Sequence, residues 1–206
     1  MIAALYVAKG GTYYGLPDVE PWGLPDRDAR EYAGPWAVVA HPPCARWGSY
    51  YFGSPSSPVR WKLGDDGGCF EAAVSAVRRF GGVIDGVIEH PEGSRAFQWF
   101  GLPVPSRGGW VREFFRDGAS CCIEQGWYGH RARKSTWLYA VADTLPSLPW
   151  GRAPGEFASI DLGYRNTETR RRRPSNGRLK QLSKRQRAAT PEKFRDLLLD
   201  IARSAR

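Results

Sequence analysis

Cys44 follows two prolines in HPPC, directly after the apolar run from Trp36 to Ala40. Such a run is the pattern of a strand buried on both faces, and Pro42 and Pro43 end it. The spacing therefore puts a thiol on a rigid segment just past a strand's carboxyl end. A thiol becomes a nucleophile when a neighbour lowers its pKa from about 8.5, and Arg46, His41 or a helix N-terminus would serve. Glu89 ends a second apolar run, VIDGVIEHPEG, which stops at Pro91. A carboxyl there is costly unless it has a partner or a substrate proton to manage, and burial raises its pKa toward neutrality, which suits acid/base work. The loop GHRARK alternates cations just before WLYAV, so that Arg131 and Arg133 are placed to hold a substrate phosphate or to support Glu89. The structural alternatives are a small buried apolar cysteine at 44 and a salt bridge from Glu89 to Arg131 or Arg133.

The elements that must position these residues read as strands and helices in alternation. MIAALYVA gives a first strand, running into KGGTYYGLP, where Gly10 and Gly11 permit a tight turn and close approach of a ligand. Phe70, Ala73, Val74, Val77 and Phe80 recur at helical spacing, and Gly81 and Gly82 end that helix. Ser120 to Gln125 and Trp137 to Ala142 bracket a third strand region. Strand, helix and strand with short connections predict a mostly parallel sheet flanked by helices. HPPC, EHPEG and GHRARK then meet at its carboxyl edge, where open α/β sheets bind ligands. Residues 1–145 form the expected α/β catalytic domain, and 146–188 a proline-rich, basic, nucleic-acid-contacting segment. Residues 189–206 form a closing helix, with Thr190 as N-cap, Pro191 in its first turn, and Phe194, Leu197, Leu198 and Ile201 facing the sheet.

The chain has 206 residues, enough for one core without a disulfide or metal staple, and its net charge of +9 is concentrated after residue 164. In that stretch Arg170, Arg171, Arg172 and Arg173, together with Arg46 nearer the thiol, are expected to contact nucleic-acid phosphates. Nine Trp and nine Tyr add possible stacking surfaces. The four cysteines form no CxxC pair, which predicts reduced thiols. No run of about 18 apolar residues and no signal-peptide pattern is present, so a cytoplasmic protein without a membrane partner is expected.

The order of these motifs resembles the DNA cytosine-5 methyltransferases. In that family a Pro-Cys loop carries the nucleophile, a Glu-Asn-Val motif contacts the base, and a Gln-x-Arg-x-Arg motif precedes a strand. HPPC with Cys44, then Glu89-His90-Pro91, then Tyr128-Gly129 with His130-Arg131-Ala132-Arg133 follow in the same order, His90 standing for the Asn and His130 for the Gln. RLKQLSKRQR and ATPEKFRDLLLDIA are similar to the family's late arginine segment and closing helix. The resemblance implies a Rossmann-like, methyltransferase-like fold with a truncated N-terminal half, of the diverged kind that phages encode. It implies Cys44 adding to C6 of a pyrimidine, a protonated Glu89 hydrogen-bonded at N3, and transfer of a one-carbon or related group to C5 of a DNA base. S-adenosyl-L-methionine is the implied donor, bound by Gly10 and Gly11, with Glu20 or Asp28 available for ribose hydroxyls.

Two other readings use the same residues. His41, Cys44, His90 and His130 fall on one predicted edge and could ligate zinc that activates water. Alternatively the chain keeps the fold without catalysis, as a DNA-binding or regulatory module.

Overall fold

The computed structural model describes residues 1–53, 58–78, 86–114, 117–158 and 182–204. Its centre is a seven-stranded mixed sheet in the order β2-β1-β3-β4-β7-β6-β5. These strands are β1 (Ile2–Leu5), β2 (Val19–Trp22), β3 (Ala37–Ala40), β4 (Gly86–Pro91), β5 (Val111–Arg112), β6 (Gly118–Glu124) and β7 (Ser135–Val141). The first four run parallel, with Leu5 level with Ala40 and Ala40 with Ile88. β7 is antiparallel to both β4 and β6, and β5 is antiparallel to β6. The expected mostly parallel sheet is thus corrected to a mixed one. Glu124 pairs with Ser135, and the stretch joining them is shorter than the dozen or more residues of a typical parallel crossover, so β6 and β7 close as a hairpin.

Alternation along the strands sends side chains to two cores. Leu5, Val38 and Ile88 pack with Phe70 and Val77 of α1 (Cys69–Val77) and with Phe97 of α2 (Arg95–Trp99). Ile2, Val39, Val87 and Leu138 face the other way, onto Phe194, Leu198, Leu199 and Ile201 of a C-terminal helix. That period of two makes a three-layer α/β molecule from short strands. A one-turn helix, α3 (Lys184–Ala188), precedes the C-terminal helix α4 (Glu192–Arg203).

Local chemistry explains several boundaries. Gly68 opens α1 without a side-chain cap of its own, but the Asp66 carboxylate accepts from the amides of Gly68 and Phe70 and from Trp47 Nε1 at 2.8–3.0 Å. One aspartate thus caps a helix and clamps the buried Trp47. The N-cap of α4 is Pro191, not Thr190, because Pro191 keeps an extended ψ of 148° while its carbonyl accepts from Phe194 and Arg195. Leu199 is buried on that helix where Leu197 is only half-buried. β2 escaped sequence reading because Pro21 lies within it. At the sheet's edge its missing N–H costs no ladder bond.

Phe80, Gly81, Gly82 and the four arginines at 170–173 lie outside the described residues. Among the described residues no helix is long and apolar enough to cross a membrane. All four cysteines are free thiols.

Candidate functional site

The direction of chain progression reverses between β1 and β3: from β1 the sheet grows one way to β2, and from β3 the other way to β4. Both carboxyl ends open there into a cleft of about 1590 Å³. A crevice at such a switch point is where open parallel sheets take ligands. Its wall comprises the loop after β1, including Gly10 and Gly11, His41 to Cys44 after β3, Glu89 to Glu92 at the end of β4, and Ala132 to Ser135 before β7. The three predicted loops and the glycine turn thus share one cavity. Tyr6, with φ of 60°, and Lys134, with φ of 41°, are the non-glycine residues with left-handed φ among those described, and both line this cleft. Such conformations cost about 1–3 kcal/mol each and cluster at functional sites.

Cys44 is held by its neighbours' packing. Its carbonyl accepts from the Trp47 amide at 3.0 Å, and the fixed Trp47 ring anchors the turn. Cys44 is an exposed residue on the cleft wall, with its thiol partly desolvated against the protein. Its pKa is nevertheless raised, first by desolvation and then by the Glu89 charge, with a smaller opposing effect of Lys134. The expected activation by Arg46 is corrected: that guanidinium donates to the Tyr51 carbonyl at 3.0 Å and stacks 3.9 Å from the Trp61 ring centre, and it does not line the cleft. His41 turns its nitrogens to other partners, and any activation of the thiol has to arrive with the substrate.

Glu89 also departs from expectation. Its Oε2 faces His41 Nδ1 at 3.0 Å and its Oε1 accepts from Gln125 Nε2 at 3.1 Å. Burial raises the carboxyl, but the His41 hydrogen bond and the Lys134 charge outweigh it and hold the pKa down to about 2. Glu89 is therefore a resting carboxylate, not a protonated acid. Neither Arg131 nor Arg133 pairs with it. Arg131 is exposed and outside the cleft, whereas Arg133 lines it with its guanidinium turned to Glu124 and to the carbonyls of Ala153 and Gly155.

The chain of contacts continues past Glu89. Tyr13 Oη lies 2.8 Å from His41 Nε2, and in the tautomer that donates Nδ1–H to the carboxylate the Tyr13 hydroxyl donates to that nitrogen. On the other side, Gln125 Nε2 also donates to Thr136 Oγ1 at 2.9 Å. Burial and the Glu89 charge push the Tyr13 phenol well above its ordinary value, so it stays protonated. Tyr13 and Gln125 were missed by sequence reading. The only signals were a tyrosine next to the glycine turn and a polar residue closing the buried run of β6.

The predicted donor residues are only partly assembled. Gly10 and Gly11 line the cleft, but a Cβ on Gly11 would lie 2.8 Å from the Ala8 carbonyl oxygen, and Gly10 has a left-handed φ of 68°. The turn itself demands both glycines. Glu20 is paired with Arg27 and Asp28 with Arg30, and neither carboxylate lines the cleft. The ribose-binding acid that S-adenosyl-L-methionine calls for is thus not supplied by these two residues. Thr12 is tied down instead by Arg195 of α4, which donates to its carbonyl at 2.9 Å.

No group of three or more His, Cys, Asp or Glu among the described residues is arranged to hold a metal ion. His41 is engaged by Tyr13 and Glu89, His90 Nδ1 meets Ser94 Oγ at 2.6 Å, and His130 Nδ1 accepts from the Ala132 amide. The zinc reading loses its ligand set there. His90 is buried, and desolvation lowers its pKa to about 4. Between pH 6.5 and 4 the unfolded chain binds a proton that the folded chain refuses, so stability falls as the pH falls through that window, by roughly 3 kcal/mol. Denaturant unfolding across pH 4–7 should reveal the slope, and His90→Asn should flatten it. A slope that persists in that variant would assign it to another group.

No protein-family model, curated protein or solved structure matches the chain.

Proposed function

We propose that the protein is a nucleic-acid base-modifying enzyme that uses Cys44 to add to C6 of a pyrimidine in DNA. The observation that carries this reading is the meeting of Cys44 and Glu89 with the glycine turn in one cleft at the β1/β3 reversal. The order β2-β1-β3-β4 matches the first four strands of the flavodoxin-like nucleotide-binding order 2-1-3-4-5, which supports a nucleotide-type ligand at the β1/β3 switch point. Lys134, Lys184 and Arg185 line the cleft as well, a charge pattern suited to phosphates.

In this reading the thiolate attacks C6, C5 becomes nucleophilic toward an electrophilic donor, and loss of the C5 proton after transfer expels the thiolate from C6 and restores the ring. Glu89, as a resting carboxylate, accepts a hydrogen bond from the N–H edge of the base: the amino group of cytosine or N3–H of a uracil-type ring. Because the Cys44 thiol lies above its ordinary pKa, its proton has to leave as substrate binds, and it leaves to solvent at the cleft mouth, since Glu89 is held down to about 2 and both His41 nitrogens are engaged. The donor belongs in the crevice beside the Ala8 to Tyr13 wall. S-adenosyl-L-methionine is the donor implied by the sequence resemblance.

Nucleosides from the DNA of cells expressing the protein should contain a new mass on cytosine or thymine, absent with Cys44→Ala. Unmodified nucleosides in both would remove the enzymatic reading. The raised thiol favours one alternative, a DNA-binding module without catalysis. In that case Cys44→Ser would leave both DNA affinity and biological effect unchanged.

A further inference from the structure

The segment that follows Cys44 carries arginines and aromatic rings in an arrangement the catalytic reading does not use. Arg46 stacks 3.9 Å from the centre of Trp61 and donates to the Tyr51 carbonyl. Arg95, from α2, lies 5.4 Å over the Tyr51 ring. Arg95 and Trp99 are four residues apart on one helix, hence on one face. Trp99 in turn meets the edge of Trp47, the ring that anchors the Cys44 turn, at 6.0 Å between centres. Guanidinium and ring therefore alternate from the segment that follows Cys44 onto α2.

These rings are not core. Tyr50 is 67% exposed, Trp99 62% and Trp61 39%. Large apolar rings left in water next to a cleft mark a binding surface more often than chance. The cations decide its chemistry: among the described residues neither Arg46 nor Arg95 is paired with a carboxylate, and the nearby Asp66 is already occupied by Trp47 and the start of α1. A partner here must offer both negative charge and flat π faces.

The geometry points to a stacking platform for single-stranded nucleic acid, in which Tyr50, Trp61 and Trp99 receive unpaired bases while Arg46 and Arg95 meet the phosphates. Every base has a π face, so such a platform tolerates sequence, whereas a paired duplex keeps its faces stacked on its neighbours and offers only its backbone. Through Trp47, whose amide donates to the Cys44 carbonyl and whose ring meets Trp99, the platform is tied to the turn that carries Cys44. The inference rests on the nucleic-acid reading above and narrows it to the form of the strand.

Fluorescence anisotropy with an oligothymidylate single strand and with a duplex of equal length tests it. The full chain should bind the single strand more tightly than the duplex. In the double variant Tyr50→Ala/Trp61→Ala the single-strand affinity should fall at least about tenfold, because each of the two base–aromatic stacks removed is worth about fivefold or more. Duplex affinity should change less than threefold, and the salt dependence of both should stay, since no cation is removed. Phe114→Ala, removing an exposed ring at the far edge of the sheet, should change neither. Unchanged single-strand affinity in the double variant, or an equal loss for strand and duplex, would overturn the platform while leaving the nucleic-acid reading in place. A wild-type chain that bound neither oligonucleotide would overturn both.

Discussion

An oligonucleotide carrying 5-azacytosine should become covalently attached to the protein, and Cys44→Ala should abolish the attachment completely. A ring nitrogen in place of C5 makes C6 more electrophilic and leaves no C5–H to eliminate, so the thioether can form before any donor is identified. The structure supplies the rest: Cys44 is exposed on the cleft surface, and its turn is fixed through Trp47 and Asp66. Because desolvation and Glu89 hold the thiol above its ordinary pKa, adduct formation should quicken as the pH rises through 8 and 9. The adduct appears as a heavier band under denaturing electrophoresis. An equally stable band from Cys44→Ala would place the nucleophile elsewhere, and no band from the wild type would end the C6-addition reading.

The sequence carried the position of the site further than its electrostatics. Proline placement and apolar runs located the ends of β3 and β4, and with them Cys44 and Glu89, because those signals are local and steric. The same patterns could not report which way a neighbour's side chain turns. Arg46 was expected to face Cys44, yet Trp61, fifteen residues on, captures it. Glu89 was expected to be neutral because burial alone raises a carboxyl, and only the fold brings His41 and Gln125 to its two oxygens. β2 was illegible for a related reason. A proline inside a four-residue run reads as a strand breaker until the topology places it at an edge. β7 runs opposite to β4 without moving the GHRARK loop off the carboxyl edge of β4, since Pro91 is level with Thr136.

Glu89→Gln should slow adduct formation at least about tenfold at neutral pH, the scale of losing a charge-assisted hydrogen bond to the base, about 1.5–3 kcal/mol. A carboxylate accepts from His41 and from Gln125 together. The amide that replaces it offers one acceptor oxygen, and its NH₂ must point at a donor on the other side. Losing the acceptor for Nδ1–H also frees the imidazole that Tyr13 meets at 2.8 Å. A melt of the variant separates this from unfolding, since losing hydrogen bonds to a charged group costs about 1.5–3 kcal/mol. His41→Gln divides the two routes by which Glu89 can act. If Glu89 serves only to orient His41, the double variant should lose no more than either single one. If the carboxylate also touches the base, the losses should compound. Because the carboxyl is held down to about 2, the wild-type rate between pH 5 and 7 should carry no ionisation belonging to Glu89. An acid limb in that range that disappears in Glu89→Gln would show a carboxyl that is neutral at rest, and wild-type speed in the variant would remove Glu89 from the chemistry altogether.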